Sequence, residues 1–366
     1  MASARRSAED TTSGLVPFVK LADPAGYRPC TLELVGDAAA RDYWVDFFCE
    51  HLDTILDLGC AIDDDPARAR ERADACRAEF VAHFRAFQRD PGRFADDGTG
   101  RGGVSILTLD TWRDQFLRRH GFVDCFREQK RRENEAMLPL IPGVVAELDR
   151  HAGRDQLEHA VRGVFAGNIF DMGAKGTAAR FLDRSPVFAE VVEGLPARPW
   201  RIDEFDAFAD RQLARPYRRV VFFIDNAGSD FLLGAVPLIR LLCRQGAGLV
   251  VAANERPTLN DMTIHDVRHW WPRVAAAAGL AGMPIELVST GTGEPLIDLR
   301  SVSPGLNAAA ADADLVILEG MGRGVESNLD ARLTCDRLNL AMVKDGLIAR
   351  TIGGELYDCV CRFEGR

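Results

Sequence analysis

Asp225 and Asn226 follow the apolar run Val220-Val221-Phe222-Phe223-Ile224. Asn260 and Asp261 follow a second run, Leu249-Val250-Val251-Ala252-Ala253, which itself ends in Asn254. Two carboxylates and one amide, Asp225, Asn226 and Asp261, make a set of hard oxygen donors, the type that takes Mg²⁺ or Mn²⁺ and leaves positions for water and substrate. A third run, Leu315-Val316-Ile317-Leu318, ends in Glu319-Gly320-Met321-Gly322-Arg323-Gly324. It adds a carboxylate and a glycine turn whose backbone N–H groups can approach an anion, with Arg323 as a clamp. Lys344, after Leu340-Ala341-Met342-Val343, brings an ammonium to another run's end, where it can hold a phosphate oxygen.

Each of these groups also has a plainer role. Asp225 and Asn226 can cap a helix starting near Asp230, Asn260 or Asp261 can cap one starting near Ile264, and Lys344 can be an exposed strand end. Convergence favours a site, because loops at the carboxyl ends of neighbouring strands in an open α/β sheet meet in one crevice. Other chemistries have incomplete signatures. His265 and His269 stand four apart without the Glu of a zinc-protease motif, and Cys359-Val360-Cys361 has no matching pair. The Gly320 turn misses the dinucleotide fingerprint at Val325, and Ala227 stands where an aspartyl-phosphate phosphatase needs a second Asp. An S-adenosylmethionine-dependent methyltransferase, with Glu319 on the ribose, has no use for the oxygen cluster, and a non-catalytic phosphometabolite sensor would keep the pocket without turnover.

The elements that must carry these residues change character along the chain. From residue 220 onward strands (220–224, 248–253, 284–288, 314–318, 340–344) alternate with helices (230–245, 264–279, 304–311, 329–340). Such alternation predicts right-handed βαβ units and a doubly wound parallel sheet. The earlier chain has helical spacing instead. Trp44, Phe48, Leu52, Ile55 and Leu56 share a face, and Asp65 with Pro66 opens a helix carrying Ala73, Cys76, Phe80, Phe84 and Phe87. Further helices are expected at about 109–120, 123–138, 143–150 and 154–166. The reading is an α/β protein with a helical N-terminal region, residues 1–160, packed on a Rossmann-like catalytic domain, residues 161–366.

At 366 residues and 47% hydrophobic, the chain can bury a sizeable core. A net charge of -10 argues against nucleic-acid and anionic-membrane partners and for a small ligand. No apolar run approaches the ~20 residues of a membrane span, and the N-terminus lacks a signal-peptide core, so a cytoplasmic protein is expected. Nine cysteines in mostly apolar contexts suit reduced thiols.

Together these segments resemble the metal-dependent damage-control phosphatases (the domain of unknown function 89 type), in particular the subgroup found with pantothenate kinases. The matching segments run in order: Arg132-Glu133-Asn134, Ala166-Gly167-Asn168-Ile169-Phe170-Asp171, Ile224 to Asp230, Asn254 with Leu259-Asn260-Asp261, Leu318 to Arg323, and Val343-Lys344. They cover most of the chain from about residue 105. The resemblance implies that Asp225, Asn226 and Asp261 hold a divalent metal (Mn²⁺, Co²⁺, Ni²⁺ or Mg²⁺) and that Asn254, Glu319 and Lys344 line a phosphate pocket. Hydrolysis of a small phosphomonoester is the implied reaction, with Asp261 or Glu319 orienting the water and Asn168 and Asp171 near the substrate's organic portion. Two departures are the unmatched first eighty or so residues and Asp124-Cys125-Phe126, where relatives often carry Asp-Pro-aromatic.

Overall fold

The computed structural model describes residues 14–29, 32–95, 103–169 and 188–366. Seven strands form one sheet: β1 (Ile202–Asp203), β2 (Arg219–Phe223), β3 (Gly248–Ala253), β4 (Ile285–Ser289), β5 (Leu315–Glu319), β6 (Asp336–Met342) and β7 (Cys359–Glu364). Their order is β1-β7-β6-β5-β2-β3-β4. The central strands β6, β5, β2, β3 and β4 are mutually parallel, which sends every loop that follows them to one edge. The topology reverses at β2, because the chain steps from β2 outward to β3 and β4 and then returns to β5 on the other flank. Crevices open at such a switch point.

Both faces of the sheet are covered, as continuous Val/Leu/Ile strands require. Val220, Phe222, Ile224, Leu249, Val251 and Ile317 bury one face against α5 (Ile141–Leu148), α6 (Gly153–Ile169) and the helix Ile264–Ala278. Val221, Phe223, Val250, Val316 and Leu318 bury the other against Phe18, Leu21 and the helix Pro304–Ala309. Three earlier helices, α1 (Ala38–Ala61), α2 (Pro66–Arg89) and α3 (Ile106–Arg119), pack around Phe48, Phe80, Phe84 and Phe87 and reach the sheet through Ala341, Val343 and Val360. Asp65 caps α2 by accepting from the Arg68 N–H, with Pro66 at its first position, as the sequence suggests.

The architecture is the expected α/β one, with differences of detail. The helix expected over 329–340 is absent, and Asp336–Met342 is instead the fully buried strand β6. Its polar residues Arg337 and Asn339 are buried and bonded to backbone carbonyls there. Arg337 donates to the Asn328 and Leu329 carbonyls at 3.1 and 2.8 Å, and Asn339 donates to the carbonyl of Gly324 at 2.5 Å. Buried polar side chains with backbone partners imitate the polar stripe of a helix in sequence. The sheet is also not wholly parallel, since β7 runs antiparallel to β6 and carries Cys359 and Cys361 into the core. The helix expected from 230 begins with a π-helical turn, Asp230–Ala235, before Val236–Arg244, and a second π turn, Met321–Glu326, follows β5. π turns are rare and concentrate at functional sites. Among the described residues no helix is long and apolar enough to cross a membrane.

Candidate active site

The loops that leave β2 and β3 clasp each other. Ala227 N–H donates to the Asn260 carbonyl and Met262 N–H to the Asp225 carbonyl, both at 3.0 Å, and Asn226 pairs with Asp261 as an isolated bridge. Two strand ends that are neighbours in the sheet thereby carry Asp225 and Asp261 into one buried crevice. Asn254, the residue just after β3, fixes the second carboxylate by donating from Nδ2 to Asp261 Oδ2 at 2.9 Å and to the Glu294 carbonyl at 3.1 Å. Asn226 does the same for the first, donating from Nδ2 to Asp225 Oδ2 at 2.8 Å and to Asp230 Oδ2 at 3.1 Å.

Arg323, on the π turn after β5, lies between the two carboxylates. Its Nη1 meets Asp225 Oδ1 and its Nη2 donates to Asp261 Oδ2 at 2.6 Å, with the guanidinium 1% exposed. Gly320 makes this approach possible: it sits at φ +91°, and a β-carbon there would overlap the Asp225 carboxylate. Glu319, the last residue of β5, is fully buried on the same edge. Lys344 lies two residues beyond β6, with its backbone N–H on Met321 Sδ at 3.2 Å, so it shares that edge with Asp225. Asn168 sits at the end of α6 and is buried, donating to Asp230 Oδ2 at 3.1 Å. It braces the Asp225–Asn226 loop through Asp230. Asp171 lies outside the described residues.

The donor set suits a hard cation. Two carboxylates already share one positive charge, and the buried Asn168 Oδ1 and Asp230 Oδ1 accept no hydrogen bond. Among the described residues no three His, Cys, Asp or Glu side chains gather closely enough to hold a metal by themselves.

Comparison with known proteins adds the family. A sequence model of the damage-control phosphatase ARMT1-like domain matches residues 104–360. This chain belongs to that family. It is 34% identical to a damage-control phosphatase of Arabidopsis thaliana across 97% of this chain and 98% of that protein. It is 36% identical to pantothenate kinase 2 of Arabidopsis thaliana over 95% of its own length but only 41% of that protein. A 4'-phosphopantetheine phosphatase of Mus musculus shows 29% identity over 96% of this chain and 48% of the mouse protein. The chain thus spans less than half the length of these last two curated relatives. In fold it is similar to a crystal structure of a DUF89 family protein from Pyrococcus horikoshii, with a TM-score of 0.62 over 87% of this chain and 97% of that one at 18% identity.

In this chain the helical region does more than cover the sheet. Arg113 on α3 donates to Thr258 Oγ1 at 2.9 Å, and Arg118 donates to the Pro257 carbonyl at 3.2 Å, which anchors the loop that carries Asp261. Lys130, on α4 (Arg127–Met137), pairs with Asp266 at 2.8 Å and Asp124 at 3.2 Å. Burial opposes the Lys130 ammonium, but these two carboxylates outweigh it and hold its pKa above the ordinary value. Asn134 Oδ1 accepts from Gly228 N–H at 2.8 Å, fixing the turn after Asn226.

Sequence reading missed Asp230, Arg113 and Lys130. Asp230 passed for an ordinary helix start, and the two basic residues sat in stretches indistinguishable from a solvated helix face. The Arg132-Glu133-Asn134 segment held the one available signal, and the structure separates its members. Asn134 is buried at the loop, Glu133 packs on Gly228, and Arg132 is exposed beside Glu128.

Proposed function

We propose that this phosphatase is a metal-dependent phosphomonoester hydrolase that acts on a small phosphorylated metabolite in the cytoplasm. The observation that carries the proposal is the pair Asp225 and Asp261, brought from separate strand ends to share a single cation. A divalent ion held by Asp225, Asn226 and Asp261, whether Mn²⁺, Co²⁺, Ni²⁺ or Mg²⁺, supplies Lewis-acid stabilisation of phosphoryl charge and a lowered water pKa. The chain's own residues do the rest. Lys344 binds the phosphoryl oxygens, and Arg323 adds a planar donor matched to phosphate. Asp261 or Glu319 orients the attacking water, and burial of the crevice strengthens each of these contacts. Among substrate classes, phosphopantetheine-type esters are supported by the named activity of the mouse relative, and sugar phosphates are the second class to test.

The test is hydrolysis of p-nitrophenyl phosphate by chelator-stripped protein, alone and with each metal, followed by a panel of sugar phosphates, phosphopantetheine and nucleotides. Activity is expected only with metal added. Full turnover by the stripped protein in excess EDTA rejects the metal assignment.

A further inference from the structure

Arg323 occupies the place between the two carboxylates that the proposed cation needs. Asp261 Oδ2 already accepts from Arg323 Nη2 at 2.6 Å and from Asn254 at 2.9 Å, while Asp225 meets Arg323 through Oδ1 and Asn226 through Oδ2. Both carboxylates are therefore engaged by donors on their crevice side. The backbone under Arg323 is held, because its carbonyl accepts from Asn328 Nδ2 at 3.0 Å and the adjacent Gly322 carbonyl accepts from Ser327 Oγ at 2.6 Å. What can move is the long side chain alone.

The charges in contact say when it should move. Two carboxylates and one guanidinium carry a net single negative charge. Adding a divalent cation with the guanidinium in place makes the cluster positive and sets two cations side by side in a buried pocket, where their repulsion is strong. A phosphate dianion reverses the sign again. Resting on the metal-dependent reading above, we infer that the divalent cation and Arg323 exchange places on Asp225 and Asp261, and that the displaced guanidinium becomes a donor to the phosphoryl group. Arg323 is then the resident counter-ion of the metal-free pocket and an anion clamp in the loaded one. Two consequences follow: metal binding is weakened by competition with the protein's own arginine, and phosphate binds only after metal.

Calorimetry decides this without any assay of turnover. Chelator-stripped wild type, Arg323→Met and Arg323→Lys are titrated with Mn²⁺, and each Mn²⁺-loaded protein is then titrated with inorganic phosphate. Arg323→Met is expected to bind Mn²⁺ about tenfold or more tightly than wild type and to bind phosphate about 10–100-fold more weakly, the loss of a charge-assisted hydrogen bond. Arg323→Lys keeps a cation that cannot bridge both carboxylates, and should fold and fall between the two. It answers the question if removing the charge prevents folding. Wild type stripped of metal should not bind phosphate. Mn²⁺ affinity in both variants equal to or below that of wild type overturns the exchange while leaving the phosphatase reading intact. Wild type that takes up no Mn²⁺ overturns the metal reading itself, and the exchange with it.

Discussion

Among the described residues two buried Asp–Arg–Asp clusters share their residue types and differ in construction. In the first, Arg113 pairs with Asp110 and Asp114, all three on α3, and its Nη2 donates to Thr258. In the second, Arg323 joins Asp225 and Asp261, and each of the three comes from a different loop at the carboxyl edge of the sheet. The first is local in sequence, with all three nitrogens of the guanidinium engaged. It ties a helix to the Asp261 loop. The second is assembled only by the fold, depends on a glycine at φ +91°, and is bordered by Asn254, Glu319 and Lys344. Charge composition alone does not separate a structural joint from a reactive site. How the charges are brought together does.

Breaking one carboxylate of each cluster should separate chemistry from stability. Asp225→Asn or Asp261→Asn is expected to lower kcat/KM on p-nitrophenyl phosphate by about 10³-fold or more, with the circular dichroism spectrum unchanged. Retained activity in both would show that these residues only cap the following elements. Arg113→Met strands two buried carboxylates and should cost about 3–5 kcal/mol in urea unfolding. Its effect on the folded enzyme should be minor by comparison, acting through the Asp261 loop. If Arg113→Met unfolds like wild type, the joint described here carries no load.

Smaller effects sharpen the contrast. Lys344→Met should weaken inhibition by free phosphate about 10–100-fold, in keeping with roughly 1.5–3 kcal/mol for a charge-assisted hydrogen bond, and leave Mn²⁺ binding nearly unchanged. Equal losses of both would place Lys344 among the supports of the metal and not on the anion. The smallest effect concerns pH. Burial, with help from Asp110 and Asp345, pushes the Glu326 carboxyl from 4.5 up to about 8, and burial likewise pushes Asp110 of the first cluster up to about 7. Both groups hold a proton in the folded state that the unfolded chain gives up. Their contribution to stability is therefore complete below pH ~4 and fades as pH rises through about 7 and about 8. Glu326→Gln should flatten the fall in Tm between pH ~6 and ~8.5, and parallel pH–Tm curves for the two proteins would contradict the assignment.

How much of this was legible in the sequence depended on whether polarity marked a boundary. The ends of β2, β3 and β5 could be read because each apolar run stops at Asp225, Asn254 or Glu319, and Lys344 could be read at the end of β6 for the same reason. The rest of β6 could not, since Arg337 and Asn339 are polar yet buried, and only the tertiary positions of Asn328 and Gly324 make that tolerable. Arg323 was visible as a cation beside a glycine turn. Its direction was not, because an anion clamp and a carboxylate partner use the same side chain, and the choice rests on where Asp261 arrives from 62 residues away. The braces Arg113 and Lys130 were equally hidden, since what they hold lies more than ninety residues on, whereas Asn134 showed only through the segment Arg132-Glu133-Asn134.

The central claim is that Asp225 and Asp261 are a cation site occupied by arginine until metal arrives. The most direct measurement is an anomalous difference map from crystals of the stripped protein soaked in Mn²⁺ and phosphate. The account predicts one manganese peak against Asp225, Asn226 and Asp261, with the Arg323 guanidinium turned onto the phosphate and Lys344 on the same anion. A manganese peak elsewhere, with Arg323 still bridging Asp225 and Asp261, would contradict it.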